Sequence, residues 1–518
     1  MPLKQTDGSI KNEEIAVLLP HELFAELANH HGDHFVSKMQ GPPGLVSKFW
    51  SAHRSEHWMR EHPLRREVEE RPTDFIPLRL WGDDSGINKK QTRSIRALCW
   101  SSATCTLPSL QSKMAIYYLQ CQKMLPDSER ELHKVVAWSL NCLIMGVFPK
   151  SDHQNKPLRG ARLKNAGKPL SMTHPSTRGI FCQAGGDWKY LKEVWKLPQN
   201  WQTPHVCHEC LAEHDGDLNY ANASPTAPWV GTERTMVDYL QSLSDMGLDL
   251  PPLITVIGFC KSMIIDDAMH DDMLGVRMEM VGSCLLTLIE KGYFGLPGMD
   301  GGTWKDRLDT QLLKAYRHWR KWLRSTGHAS SHSQFRCTQL GLSTKDDWVL
   351  MKGKAHDFGV LSVWLTDCTR DHVRTGVDID GRALDPIGPM DRVLATTMAG
   401  FRSLWWLYHS DAVLAQHERI ELEESRKIAL QGFNTLSSYA KASGQWKYKM
   451  RPKFHKLDHA LRRTVRTGWN MGMLWSFGEE DWLGQQCHMT GNCDSRSLHR
   501  RAVQRWLAFF FNELTHAG

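Results

Sequence analysis

The sequence predicts an α/β core interrupted by a large, mostly helical insertion, in a chain that is predominantly helical overall. Three observations predict it. Between Pro72 and Asp187, short apolar segments with strand alternation come in the order β-β-β-α-β. From about residue 211 to 450 the period of amphipathic helices dominates. A CxxC pair, Cys207 and Cys210, precedes that stretch, and an HxxxH pair, His455 and His459, follows it. The expected organisation is therefore a helical N-terminal region (1–71), the first part of the core (72–210), the insertion (211–450) and the C-terminal part of the core (451–518).

Each element has its own signal. Residues 1–70 carry PHELFAELANHH and KFWSAHRSEHWMREH, short helices broken at Gly41-Pro42-Pro43-Gly44. Their histidines (21, 30, 31, 34, 53, 57 and 62) repeat no ligand spacing and are expected on polar helix faces. Phe75 to Trp81 alternates as a strand and ends at Gly82-Asp83-Asp84. A turn, SGINKKQTR, leads to a second strand, Ser94 to Ser102, and Met114 to Cys121 makes a third. Glu129 to Phe148 has the broad apolar face of a helix. After a Gly/Pro/Lys-rich loop, Gly179 to Cys182 reads as a fourth strand running into Gly185-Gly186-Asp187. This is the order of a ribonuclease-H-like core. Within the insertion, helices are expected over 266–291, 304–325 and 390–442, the last with a break. No repeat of solenoid length is visible.

Composition sets broad limits. With 518 residues, 41% hydrophobic and 23% charged, the chain can bury a large core and is not a disordered polymer. The beginning, MPLKQTDGSIKNEE, is too polar for a secretory signal, and the best apolar run, Val135 to Phe148, is too short to span a membrane. Thirteen scattered cysteines fit reduced thiols in an intracellular compartment better than a disulfide framework. The net charge of +7 allows a polyanionic partner without requiring one. No small-molecule substrate is suggested.

The chemistry lies in two sets of residues. Two thiolates and two imidazoles complete a tetrahedral zinc site with no vacancy for substrate, so Cys207, Cys210, His455 and His459 read as a structural centre tying the insertion to the core. His205, His208 and His214 are rival ligands from the neighbourhood of Cys207. The second set is acidic: Asp83 (with Asp84 as its rival), Asp187, and Glu480 or Glu479. Cutting or joining a phosphodiester needs an activated water or 3′-hydroxyl and a stabilised leaving oxygen. Two Mg²⁺ or Mn²⁺ ions about 4 Å apart supply both, and hard ions need carboxylates. Asp83 is favoured because it follows the strand and Gly82. Taken singly, each acid reads better as a turn cap or as the solvated start of a helix. Two basic stretches with aromatics, Arg317 to Arg324 and Trp446 to Lys453, could meet nucleic acid, although the first reads better as a helix with its tryptophans in the core.

Taken in order, these motifs resemble the DDE cut-and-paste transposases, particularly CACTA-like ones, and the related catalytic core of the V(D)J recombinase. The similarity runs from PLRLWGDD with Asn88, through Gly186-Asp187 and the CxxC twenty positions on, to Asp267-Ala268-Met269-His270 with Leu274-Gly275. It ends with Pro452-Lys453-Phe454-His455 to His459 and the acids beyond. The whole also looks like a mobile-element-derived family abundant in dinoflagellates. The resemblance implies metal-dependent DNA strand cleavage and transfer, DNA as partner, room for a homodimer, and a nuclear site of action. The alternatives are a catalytically inactive descendant binding nucleic acid or protein, and a helical interaction scaffold. The chain departs from the family at Trp188-Lys189, where small residues are often found after the second Asp.

Overall fold

Four strands make one mixed sheet, and its register explains where the acids fall. The strands are β1 (Phe75–Gly86), β2 (Ser94–Ser102), β3 (Met114–Gln120) and β4 (Arg178–Gly186), in the spatial order β3-β2-β1-β4. The computed structural model describes all residues except 6, 89–92, 127, 296–301, 495 and 517–518. The middle of the expected SGINKKQTR turn thus lies outside the described residues. The principal helices before residue 300 are α1 (Ser128–Met145), α2 (Trp188–Val194) and α3 (Met278–Glu290). After it come α4 (Trp304–Thr326), α5 (Ala355–Thr375), α6 (Pro389–Tyr408), α7 (Gln416–Ala442), α8 (Pro452–Thr467), α9 (Phe477–Thr490) and α10 (Leu498–His516). Helix accounts for about 52% of the chain, and the fold is a mixed α/β one with high helical content.

The chain divides into two compact units: one built from residues 1–198, 234–267 and 476–518, the other from 199–233 and 268–475. The chain passes between the units at 198/199, 233/234, 267/268 and 475/476, where the sequence suggests 210/211 and 450/451. The CxxC and HxxxH segments thus both belong to the helical unit.

In the sheet unit, β1 pairs antiparallel with β2 from Leu78↔Ser102 to Gly86↔Ser94. It runs parallel to β4 from Phe75↔Arg178 to Gly82↔Gly186. A parallel neighbour requires a crossover, and α1 lies between β3 and β4 in the chain to provide it. Both faces of β1 are covered, so its residues are almost continuously buried instead of alternating with solvent. Alternation still sets direction. Arg79, Trp81, Asp83 and Ser85 share one face, and Leu80, Gly82 and Asp84 the other. The Tyr190 ring of α2 packs so closely over Gly82 that a Cβ there would lie 2.3 Å from it, which is why glycine precedes Asp83. Beyond β4, Ile264 forms a parallel bridge with Ala184, and Ile265 N–H donates to Ala184 O at 3.0 Å. The N-terminal helices join this unit: the Trp50 indole N–H donates to Phe75 O at 2.7 Å. His21, His53 and His62 are buried instead of lying on polar faces.

After residue 267 the helical unit resumes with a π-helix, Met269–Arg277, continuous with α3. Its buried Arg277 makes a two-pronged ion pair with Asp272 (2.7 and 3.0 Å) and donates to Phe401 O and Ser362 Oγ. Such a charge tolerates burial because each donor finds an acceptor. A Thr303/Asp306 capping box starts α4 and left-handed Gly327 ends it. Trp319 of α4 is fully buried beside Trp364, the core position expected of it. The expected break in 390–442 falls between α6 and α7.

Candidate metal centre

His455 and His459 are one helical turn apart on α8, which Pro452 begins and Gly468 ends. That spacing aims both imidazoles the same way, with their Nε2 atoms 3.0 Å apart. The two cysteines come from a tight loop. Val206 N–H donates to Ala212 O, Glu209 N–H donates to Cys207 Sγ at 3.3 Å, and Ala212 N–H donates to Cys210 Sγ at 3.4 Å. Backbone donors aimed at sulfur stabilise the thiolate, which is the form that binds a metal. Cys210 Sγ lies 3.2 Å from His455 Nε2 and 3.3 Å from His459 Nε2. The ligand atoms of all four residues lie within 4.8 Å of one another.

The chemistry of the donor set fits a metal. With zinc–sulfur bonds of about 2.3 Å and zinc–nitrogen bonds of about 2.05 Å, a tetrahedron has S···N edges of about 3.5 Å and N···N edges of about 3.3 Å. The observed separations are within a few tenths of an ångström of these. Around the four, Val206, Ala212, Tyr220, Ala227 and Trp229 form an apolar shell. Trp229 stands edge-on to His455, ring centres 4.3 Å apart, and carries the Arg462 guanidinium 5.1 Å above it. Glu209, ion-paired to Arg463, reaches within 4.0 Å of His459 Nδ1, the usual place for a carboxylate that orients a ligating imidazole. Burial pushes the Cys207 thiol up. Burial opposes the charge on His459, but the Cys207 sulfur and Glu209 outweigh it and carry the imidazole up to about 9.

Two of the three local rivals are turned elsewhere. His205 Nδ1 is 3.0 Å from Leu211 O, and His214 Nε2 is 2.7 Å from Trp201 O. Because all four ligands belong to the helical unit, the centre closes that unit upon itself. The expected tie between insertion and core is corrected accordingly.

The acids lie in the sheet unit. Asp83 is inside β1, opposite Ala97, not after the strand as the sequence suggests, because the β1–β2 ladder continues to Gly86. Asp84 points to the opposite face. There it receives two hydrogen bonds from Arg96 (2.5 and 2.9 Å) and one from Lys189 at 3.0 Å. Although burial works against it, these two cations hold the Asp84 carboxyl below the ordinary range. Asp187 directly follows β4 and caps α2 by accepting from Tyr190 N–H at 2.6 Å. Glu479, in the first turn of α9, is buried and ion-paired to Lys113 (2.8 Å) and Arg79 (3.3 Å). Glu480 is its half-buried neighbour; the Cys487 thiol, two turns further along α9, meets Ser85 and feels the Glu480 charge. Among the described residues, no group of three of these acids gathers within 4.8 Å.

No family model matches the sequence, and a search of curated proteins found no similar one. The reading of this chain therefore rests on its own residues. Sequence reasoning missed Arg79, Lys113 and Arg96. Arg79 had a signal, since alternation puts it on the Asp83 face, but nothing along the chain pairs it with residue 479.

Proposed function

We propose that this chain is a DDE recombinase-like protein, with a ribonuclease-H-like core that cuts or joins DNA strands and a helical insertion closed by zinc. One observation carries the reading: Asp83 and Asp187 each come directly after the last in-register pair of β1 and β4, Gly82↔Gly186, so the parallel register brings the two acid-bearing positions to the same level of the sheet. Three features support it. The strand order β3-β2-β1-β4, with Ile264 beside β4, is that of the ribonuclease-H-like sheet. The long excursion leaves after Asp267 and returns at Ser476, immediately before the helix that carries Glu480. Finally, Asp187 directly follows β4, where the resemblance expects the second acid.

Mg²⁺ or Mn²⁺, when bound, would supply the charge that activates the attacking oxygen and steadies the leaving one. Convergence of the three carboxylates is the part this chain must provide. The experiment is a nicking and strand-transfer assay with Mn²⁺. Asp83→Asn and Asp187→Asn are expected to abolish product while folding and DNA binding persist, and Asp84→Asn to affect folding more than turnover. Equal activity of Asp187→Asn and wild type would end the enzymatic reading.

A second reading has its own observation. The Glu479 ion pairs and the separated acids suit a descendant that keeps the fold and zinc while binding nucleic acid without cutting it. Inactivity of the wild type with both metals, alongside salt-sensitive DNA binding, would select it.

A further inference from the structure

Beside the loop of Cys207 and Cys210, the helical unit carries a groove of about 960 Å³. Two tryptophans line it. Trp446 is 42% exposed, and Trp348 stands edge-on to it with ring centres 5.1 Å apart. The indoles of Trp319, Trp364 and Trp229 in the same unit are fully buried, so this fold does not lack places for large rings. Lys449 sits 5.3 Å over the Trp348 ring, Lys441 stands on the rim, and Asn222 and Asn434 offer amides within the lining.

The loop that presents these groups is held in an unfavourable conformation. Tyr448 has a φ of 53°, a left-handed value that a bulky residue adopts only when its surroundings impose it. What imposes it is visible. The Tyr448 side chain is buried with its hydroxyl 3.0 Å from Thr287 Oγ1, and its backbone N–H donates to Ser283 Oγ at 2.8 Å. Lys447 turns inward to Glu290 at 2.5 Å. Two successive residues therefore go to the core while the residues on either side, Trp446 and Lys449, line the groove. Tyr220, Ala221 and Met450 pack on the metal-site core and also line the groove, so the metal loop forms one of its walls.

We infer that this groove binds a single-stranded segment of nucleic acid, with a base stacked on Trp446 and phosphates beside Lys441 and Lys449. Open indoles with cations at phosphate distance are the recurring means by which proteins hold unpaired strands, because every base has a π-face and every linkage a charge. A duplex offers its bases only along groove edges and cannot stack on an indole. Asp215 also lines the groove, and its charge works against a polyanion. The inference goes beyond the reading of the acids and needs none of them.

The test is fluorescence anisotropy of a labelled oligodeoxythymidine of about 15 nucleotides with the full, zinc-loaded chain. Trp446→Ala is expected to weaken binding about tenfold and Trp446→Phe to keep most of it. Replacing Lys441 and Lys449 together by Ala should flatten the dependence of binding on salt. Binding by Trp446→Ala equal to wild type would overturn the inference. So would quenching of tryptophan fluorescence by a neutral oligosaccharide where the oligonucleotide gives none. Absence of strand cleavage in any of these samples bears on the proposed catalysis alone.

Discussion

At the scale of single residues, the most consequential choices are between chemically identical neighbours. Asp83 and Asp84 differ only in which way the pleat turns them, yet one faces Arg96 and Lys189 while the other shares a face with Arg79. Glu479 and Glu480 are separated in the same way by the helical step, and Glu479 meets Arg79 and Lys113. Burial works against the Glu479 charge, but those two cations hold its carboxyl below the ordinary value of 4.5. A depressed value stabilises the fold above the ordinary one and loses that contribution as pH falls through it. Glu479→Gln would leave two cations without their counter-charge and should cost about 3 kcal/mol at neutral pH. In urea titrations the gap between wild type and variant should be full at neutral pH and shrink below 4.5. A gap that stays constant down to pH 3 would mean that the ion pairs contribute nothing.

At the scale of elements, alternation and period made most of the fold legible. The run from Phe75 to Trp81 announced β1, and the helices over 304–325 and 390–442 came out as α4, α6 and α7 within a few residues. The strand continued past Asp84 because its partner, not its own residues, decides where a ladder stops. The π-helix at Met269–Arg277 carries no local signature either; it exists where Arg277 must reach Asp272 and Phe401 O together. The metal loop and α8 were legible as ligand pairs but not as neighbours. Their meeting yields a direct test. Cys207→Ala and His459→Ala should each lower bound zinc from about one per chain by the same large factor, whereas His205→Ala and His214→Ala should leave it unchanged. Chelation should lower the thermal transition of the helical unit and spare that of the sheet unit. Retention of zinc by His459→Ala would return the site to a local knuckle.

At the scale of the whole molecule, composition located the helical stretch but not its borders. Residues 199–210 and 451–475 read as flanks of the core, yet they pack with the helices, because Cys210 and His455 share a centre across 245 positions. Long-range pairing of this kind is invisible until the chain is folded. No described helix is long and apolar enough to cross a membrane, in keeping with the short apolar run at Val135 to Phe148. The point where the excursion leaves and returns is pinned: Ser476 N–H donates to Asp267 Oδ1 at 3.0 Å, 209 positions away. That clasp sets an order of events during synthesis. When residue 475 emerges from the ribosome, every part of the helical unit has been made, while the sheet still lacks α9 and α10. The sheet must wait with its Arg79 face uncovered until the last segment arrives. A nascent chain arrested with residue 475 just outside the exit tunnel should therefore protect 268–475 from protease and leave the strands open to digestion, and a protected sheet at that length would refute this order. Translation, in such a chain, assembles the inserted part before the part that received it.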